Sequence, residues 1–253
     1  MTQQVSKPTE QRQRKPQFRR DDPTYSRELV LAWCLWLLGS WALTLGVDSS
    51  SPAVRRMIYS CMIGMMVLWP TWRLSLDSLR CRSRPGHDPD AEKSLNEPLE
   101  SPFFGPAMVF RDWLSLNLVF QAVVWPLRIS SHWSMGQTIW LDAAFACWSL
   151  LIAALVAWGC RSRHGGGRTV ATLLCVLVIL GEPLVMGLVN LGTGSGMSSG
   201  IVWAMRVSPV HALWVLAGTP QGWTVQPWAM QVVLVGLAAA MGWLIVLRRP
   251  YVG

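Results

Sequence analysis

The chain has 253 residues, 51% of them hydrophobic and only 14% charged, with a net charge of +8. Ordinary soluble domains carry about 25% charged residues, so this composition excludes a disordered chain and argues against a soluble globular enzyme. Sixteen tryptophans against three tyrosines fit a membrane protein, because the amphipathic indole settles at headgroup level.

The six cysteines form no CxxC pair, and Cys34, Cys61, Cys147 and Cys175 sit in apolar runs as small hydrophobes. The four histidines, His87, His132, His164 and His211, are scattered. No metal or cofactor is expected from this pattern.

Residues 1–27 are polar and basic and read as a flexible cytoplasmic tail. A nucleic-acid-binding arm would carry more interleaved aromatics than Phe18 and Tyr25, so no nucleic-acid partner is expected. A transmembrane helical domain is expected over 28–249. A span needs about 20 apolar residues. Six stretches qualify: 29–47, 53–74, 113–127 (short unless 108–112 extend it), 138–158, 169–191 and 228–247. Ser51 and Pro52 form a capping start for the second. Residues 75–107 form a proline-rich loop.

The apolar stretch 201–218 carries Arg206, Ser208, Pro209 and His211 at its middle. An arginine is costly at the bilayer centre and proline breaks the helix, so this stretch reads as two re-entrant or interfacial outer half-helices, broken near Ser208-Pro209. With six spans and both termini inside, 18 of the 22 basic residues fall on the cytoplasmic side, and a seventh span would move Arg248 and Arg249 outside. The fold class expected is therefore all-α: a polytopic protein of about six transmembrane helices in the cytoplasmic membrane, with membrane lipid as its surroundings. Gly236 with Ala240, Ala238 with Gly242 and Ala153 with Ala157 read as small-residue pairs for close helix packing.

Glu182 lies inside the fifth span and is followed by Pro183. An intramembrane carboxylate faces a cavity or a partner, so Glu182 reads either as a pathway or gating residue or as a structural partner of Arg206. Asp142 and Asp112 fall near the drawn starts of spans four and three, where a carboxylate offsets the helix dipole; Asp142 is also a candidate for the outer pathway. His211 with Arg206 could form an anion-binding polar patch, and a histidine simply hydrogen-bonded in place is the plainer reading. No HExxH, GxSxG or GxxxxGK[ST] motif is present, and Gly165-Gly166-Gly167-Arg168 lacks the P-loop lysine.

Several segments, in order, resemble the permease subunits of ABC-2 type transporters. Asp22-Pro23-Thr24-Tyr25-Ser26-Arg27-Glu28-Leu29 looks like the family's entry into the first span. Glu92-Lys93-Ser94-Leu95-Asn96-Glu97-Pro98-Leu99-Glu100-Ser101-Pro102-Phe103 is similar to its cytoplasmic coupling stretch, although the glycine-threonine pair after the acidic-basic pair is absent and Pro98 interrupts it. Trp133-Ser134-Met135-Gly136-Gln137 looks like its turn after span three, and Cys160-Arg161-Ser162-Arg163 like its basic inner loop. Ser208-Pro209-Val210-His211-Ala212-Leu213 is similar to its outer segment before the last span.

The resemblance implies a non-enzymatic, permease-like subunit. It would work by alternating access with a separate cytoplasmic ATPase and a second permease half, either another copy or a paralogue. It also implies ATPase coupling through Glu92, Lys93, Leu95, Glu97, Leu99, Pro102, Phe103 and Phe104, and a pathway involving Glu182, Arg206 and Asp142. The other classes kept open are a scaffold subunit of a membrane complex and an intramembrane enzyme.

Overall fold

The computed structural model describes residues 23–45, 51–82, 105–131, 133–162, 165–192, 208–218 and 226–248. Among them every regular element is a helix: α1 (Pro23–Leu45), α2 (Ser51–Ile63), a wide π turn (Gly64–Leu68), α3 (Trp69–Arg82), α4 (Pro106–Ser131), α5 (Met135–Arg161), α6 (Gly165–Gly192), α7 (Pro209–Leu216) and α8 (Gln226–Arg248). Three described stretches are long and apolar enough to cross a membrane: Pro106–Ile129, Met135–Arg161 and Ala229–Arg248. Gly166–Gly181 is a shorter apolar stretch. These helices indicate a membrane-embedded protein.

Residues 51–82 form one helical rod, because α2, the π turn and α3 follow without a break. The Trp69 amide bonds the Gly64 carbonyl five residues back, which defines the wide turn. Pro70 follows directly. A proline has no N–H and its ring crowds the carbonyl four residues earlier, so a widened turn at this point relieves the clash. Gly64 is required by a close crossing: a Cβ there would collide with the Trp33 ring and would come within 2.6 Å of Trp36 Nε1. Trp36 Nε1 donates to the Ser60 carbonyl at 2.9 Å, and the Ser40 and Ser60 hydroxyls meet at 2.6 Å, so α1 is tied to α2 along its polar face.

α5 is the central helix. Its buried residues include Leu141, Phe145, Trp148, Ile152, Ala153, Val156 and Ala157, and it packs on α3, α4, α6, α7 and α8. A helix apolar on all sides belongs in the middle of a bundle or in lipid. Its start is fixed by Ser134, whose hydroxyl accepts from the Gln137 amide at 3.1 Å.

Against α8 the contact is made by small residues. A Cβ on Gly242 would lie 3.3 Å from Ala154 Cβ, one on Gly236 would lie 3.4 Å from Cys147 Sγ, and Ala239 between them is fully buried. The seam is thus Gly236, Ala239 and Gly242, and the expected pairing of Gly236 with Ala240 and Ala238 with Gly242 is corrected: Ala238 and Ala240 face outward. Three-residue steps keep one helix face, whereas the two paired sets point about 200° apart around the axis.

A helix starts at Ser208-Pro209, where the break between two half-helices is expected. Ser208 is extended and its hydroxyl accepts from the Val210 amide at 3.2 Å, with Pro209 in the first turn of α7. Residues 201–207 lie outside the described residues.

Candidate functional site

Two of the three candidate spans, α4 and α5, run antiparallel and share a row of polar side chains. In lipid, an unpaired polar group is expensive, so such a row must be hydrogen-bonded across the helices or serve a pathway.

At the base of the row, in the first half of α3, Arg73 Nη1 stands 3.3 Å from Asp112 Oδ2, with 6% and 2% of the side chains exposed. One and a half turns further along α4, Asn117 Nδ2 reaches Ser149 Oγ at 3.3 Å, and the Trp113 indole donates to the same hydroxyl at 3.0 Å. Between these groups the Trp33 indole of α1 donates to the Leu116 carbonyl at 3.1 Å, so three helices meet there. Higher still, Gln121 Nε2 donates to Asp142 Oδ1, and Trp125 Nε1 donates to Gln121 Oε1 at 2.7 Å. An indole N–H only donates, so it must meet the Gln121 oxygen, which leaves the amide NH2 for the carboxylate. Between the two polar levels the Phe120 and Phe145 rings stack with centroids 3.7 Å apart.

The two ends of the row differ. Arg73, Asp112, Asn117 and Ser149 are buried, whereas Gln121 and Asp142 are half-buried and Trp125 is exposed. The row therefore begins as a sealed ion pair in the interior and opens onto the protein surface between α4 and α5.

A second polar junction lies at the start of α5. The Gln137 amide donates to the Leu216 and Gly218 carbonyls at 2.7 and 3.1 Å, which caps the end of α7. Arg55 of α2 lies 4.7 Å over the Trp214 ring of α7, and Tyr59 packs on the same ring.

Of the site residues expected from sequence, Asp142 takes part in the α4–α5 row. The reading of Asp142 and Asp112 as dipole-compensating residues in the first turn is corrected. α4 begins at Pro106 and α5 at Met135, which places both carboxylates about two turns inside their helices, and each is held by a side chain of another helix. Glu182 lies on α6 with its side chain outside the described set. Arg206 and the coupling residues Glu92, Lys93, Leu95, Glu97, Leu99, Pro102, Phe103 and Phe104 lie outside the described residues. His211 is half-buried on α7.

Sequence reasoning missed Arg73, Asn117, Gln121, Trp125 and Ser149. The signal was available on α4, where Asn117 and Gln121 are one turn apart inside an otherwise apolar span and so share a face. Among the described residues, no group of three or more histidine, cysteine or acidic side chains could hold a metal ion.

The chain matches no protein-family model, no curated protein and no solved structure.

Proposed function

We propose that this chain is a permease-like membrane subunit of an ATP-driven transporter, working with a separate cytoplasmic ATPase and a second copy of itself or a paralogue. The observation that carries the reading is the polar row of α4 and α5. From Asp112 to Gln121 the row climbs nine residues, about 14 Å at 1.5 Å per residue, nearly half of a 30 Å hydrocarbon core. Polar side chains strung through apolar spans and opening at one end fit a route or gate for a solute better than a purely apolar bundle would.

In this reading the protein has six spans, both termini in the cytoplasm, and a re-entrant outer segment ending in α7. The loop between α3 and α4 carries the coupling residues Glu92 to Phe104. Closure of the ATPases would push on that loop. The Arg73–Asp112 pair links α3 to α4, and through it a push on the loop would be passed between the two helices. Their motion against α5 would open and close the Gln121–Asp142 end of the row, with Glu182 and Arg206 on the same outer pathway.

One observation favours a scaffold subunit as the second reading. The Asn117–Ser149 and Gln137–Leu216 bonds are made within the chain, as expected of hydrogen bonds whose task is to hold a bundle together.

Affinity purification of the tagged chain from its native membrane, in mild detergent and with mass spectrometry of the partners, separates the two. The transporter reading predicts a stoichiometric ATPase that is lost when Glu92, Leu95 and Phe103 are replaced together by glycine. A stable complex without an ATPase contradicts it and supports the scaffold.

A further inference from the structure

We propose that Asp142, Gln121 and Trp125 form a binding site for a lipophilic monovalent cation, an ammonium or phosphonium group carried on an apolar body. The first ground is the carboxylate itself. Asp142 lies inside a candidate membrane span, and among the described residues no ion pair reaches it; its partner is the neutral Gln121 amide, which bonds Oδ1. Oδ2 has no hydrogen-bond partner among the described residues and is not sealed in the interior. A carboxylate in a low-dielectric setting with one open oxygen attracts a cation strongly.

The second ground is Trp125. It sits one turn beyond Gln121, is 38% exposed, and has its N–H committed to Gln121, so the ring face remains for a cation. Indole is the best of the side-chain rings for that contact. The indole bond also fixes the Gln121 amide with its NH2 toward Oδ1, which leaves Oδ2 for a cation.

The third ground is the surround. Leu118, 61% exposed, lies one turn before Gln121, and Ile139, 49% exposed, lies one turn before Asp142. They offer apolar surface on either side of the charge. A hydrated metal ion gains nothing from such flanks, whereas an organic cation does.

The site deepens the transport reading by naming a substrate class, but binding itself needs no ATPase. A chain that binds the cation and never recovers an ATPase keeps this site and loses the transport reading.

The test is equilibrium binding of tritiated tetraphenylphosphonium to the full-length chain purified in a neutral maltoside detergent. Saturable binding is expected. Asp142→Asn, which can still accept the Gln121 bond, should weaken it at least tenfold. Trp125→Ala, at an exposed position, should weaken it about three- to tenfold. Size-exclusion profiles and melting curves confirm that each variant is folded. Adding phosphatidylethanolamine to the micelles identifies the natural source: competition assigns the site to a lipid headgroup, and its absence assigns it to a diffusing amphiphile, both with the site intact. No saturable binding to monodisperse wild-type chain, or wild-type affinity in either folded variant, overturns the proposal.

Discussion

The Arg73 guanidinium and the Asp112 carboxylate, 3.3 Å apart and almost entirely buried, join the first half of α3 to α4. Breaking a buried pair by removing one partner leaves an uncompensated charge and costs about 3–5 kcal/mol, whereas replacing both by apolar residues of similar size is often neutral. Asp112→Ala should therefore lower the melting temperature sharply, and Arg73→Met with Asp112→Leu should recover most of the loss. A double variant as unstable as the single one would show that the pair does more than neutralise charge.

At the crossing of α1 over α2, no side chain fits between Gly64 and the two indoles of Trp33 and Trp36. Gly64→Ala should cost about 1–3 kcal/mol through overpacking, although alanine is ordinarily the better helix former. The check is thermal unfolding in detergent beside Gly39→Ala, where a Cβ meets nothing within 4 Å and the change should be neutral or stabilising.

Gln137 holds the end of α7 through the Leu216 and Gly218 carbonyls, with 1% of the residue exposed. Gln137→Leu keeps the bulk but leaves those acceptors unpaired, at a cost of about 1–3 kcal/mol. Amide hydrogen exchange should accelerate selectively over 209–218 and leave 141–157 unchanged. Uniform acceleration would instead mean that the whole bundle had loosened.

Cys147 and Gly236 face each other across the central seam, with Sγ 3.4 Å from where a Cβ would stand on the glycine. That spacing suits a disulfide. Gly236→Cys should cross-link to Cys147 under mild oxidation, visible as a mobility shift on non-reducing gels. The shift should vanish when Cys147→Ser is added and should be absent for Ala238→Cys, which faces outward.

The helices were legible because long apolar runs declare themselves, and Ser208-Pro209 announced the start of α7 through a cap and a first-turn proline. The apolar count places the start of α4 too late, since the polar Arg111 and Asp112 end it, although Gly105-Pro106 marks the true beginning of the helix. Asp112 thereby reads from the sequence as a helix-end residue, whereas it lies about two turns inside α4. Its partner Arg73 lies 39 residues away, and no periodicity connects them. The Gly236, Ala239 and Gly242 seam was half visible as small residues, but which face they used depended on α5. For the same reason Gln121 and Asp142, 21 residues apart, could be paired only once the antiparallel register of α4 and α5 was fixed.

The proposed six-span permease-like subunit would hold its coupling loop in the cytoplasm with both termini. Labelling of single cysteines by a membrane-impermeant maleimide tests it most directly. The sites are Gln17→Cys, Ser50→Cys, Ser94→Cys and Gln221→Cys, each in a cysteine-free background and in sealed right-side-out vesicles. Labelling from outside is expected at 50 and 221 only, with 17 and 94 reacting after the vesicles are opened. Labelling of 94 from outside, or of 17 and 94 on opposite sides, would contradict it.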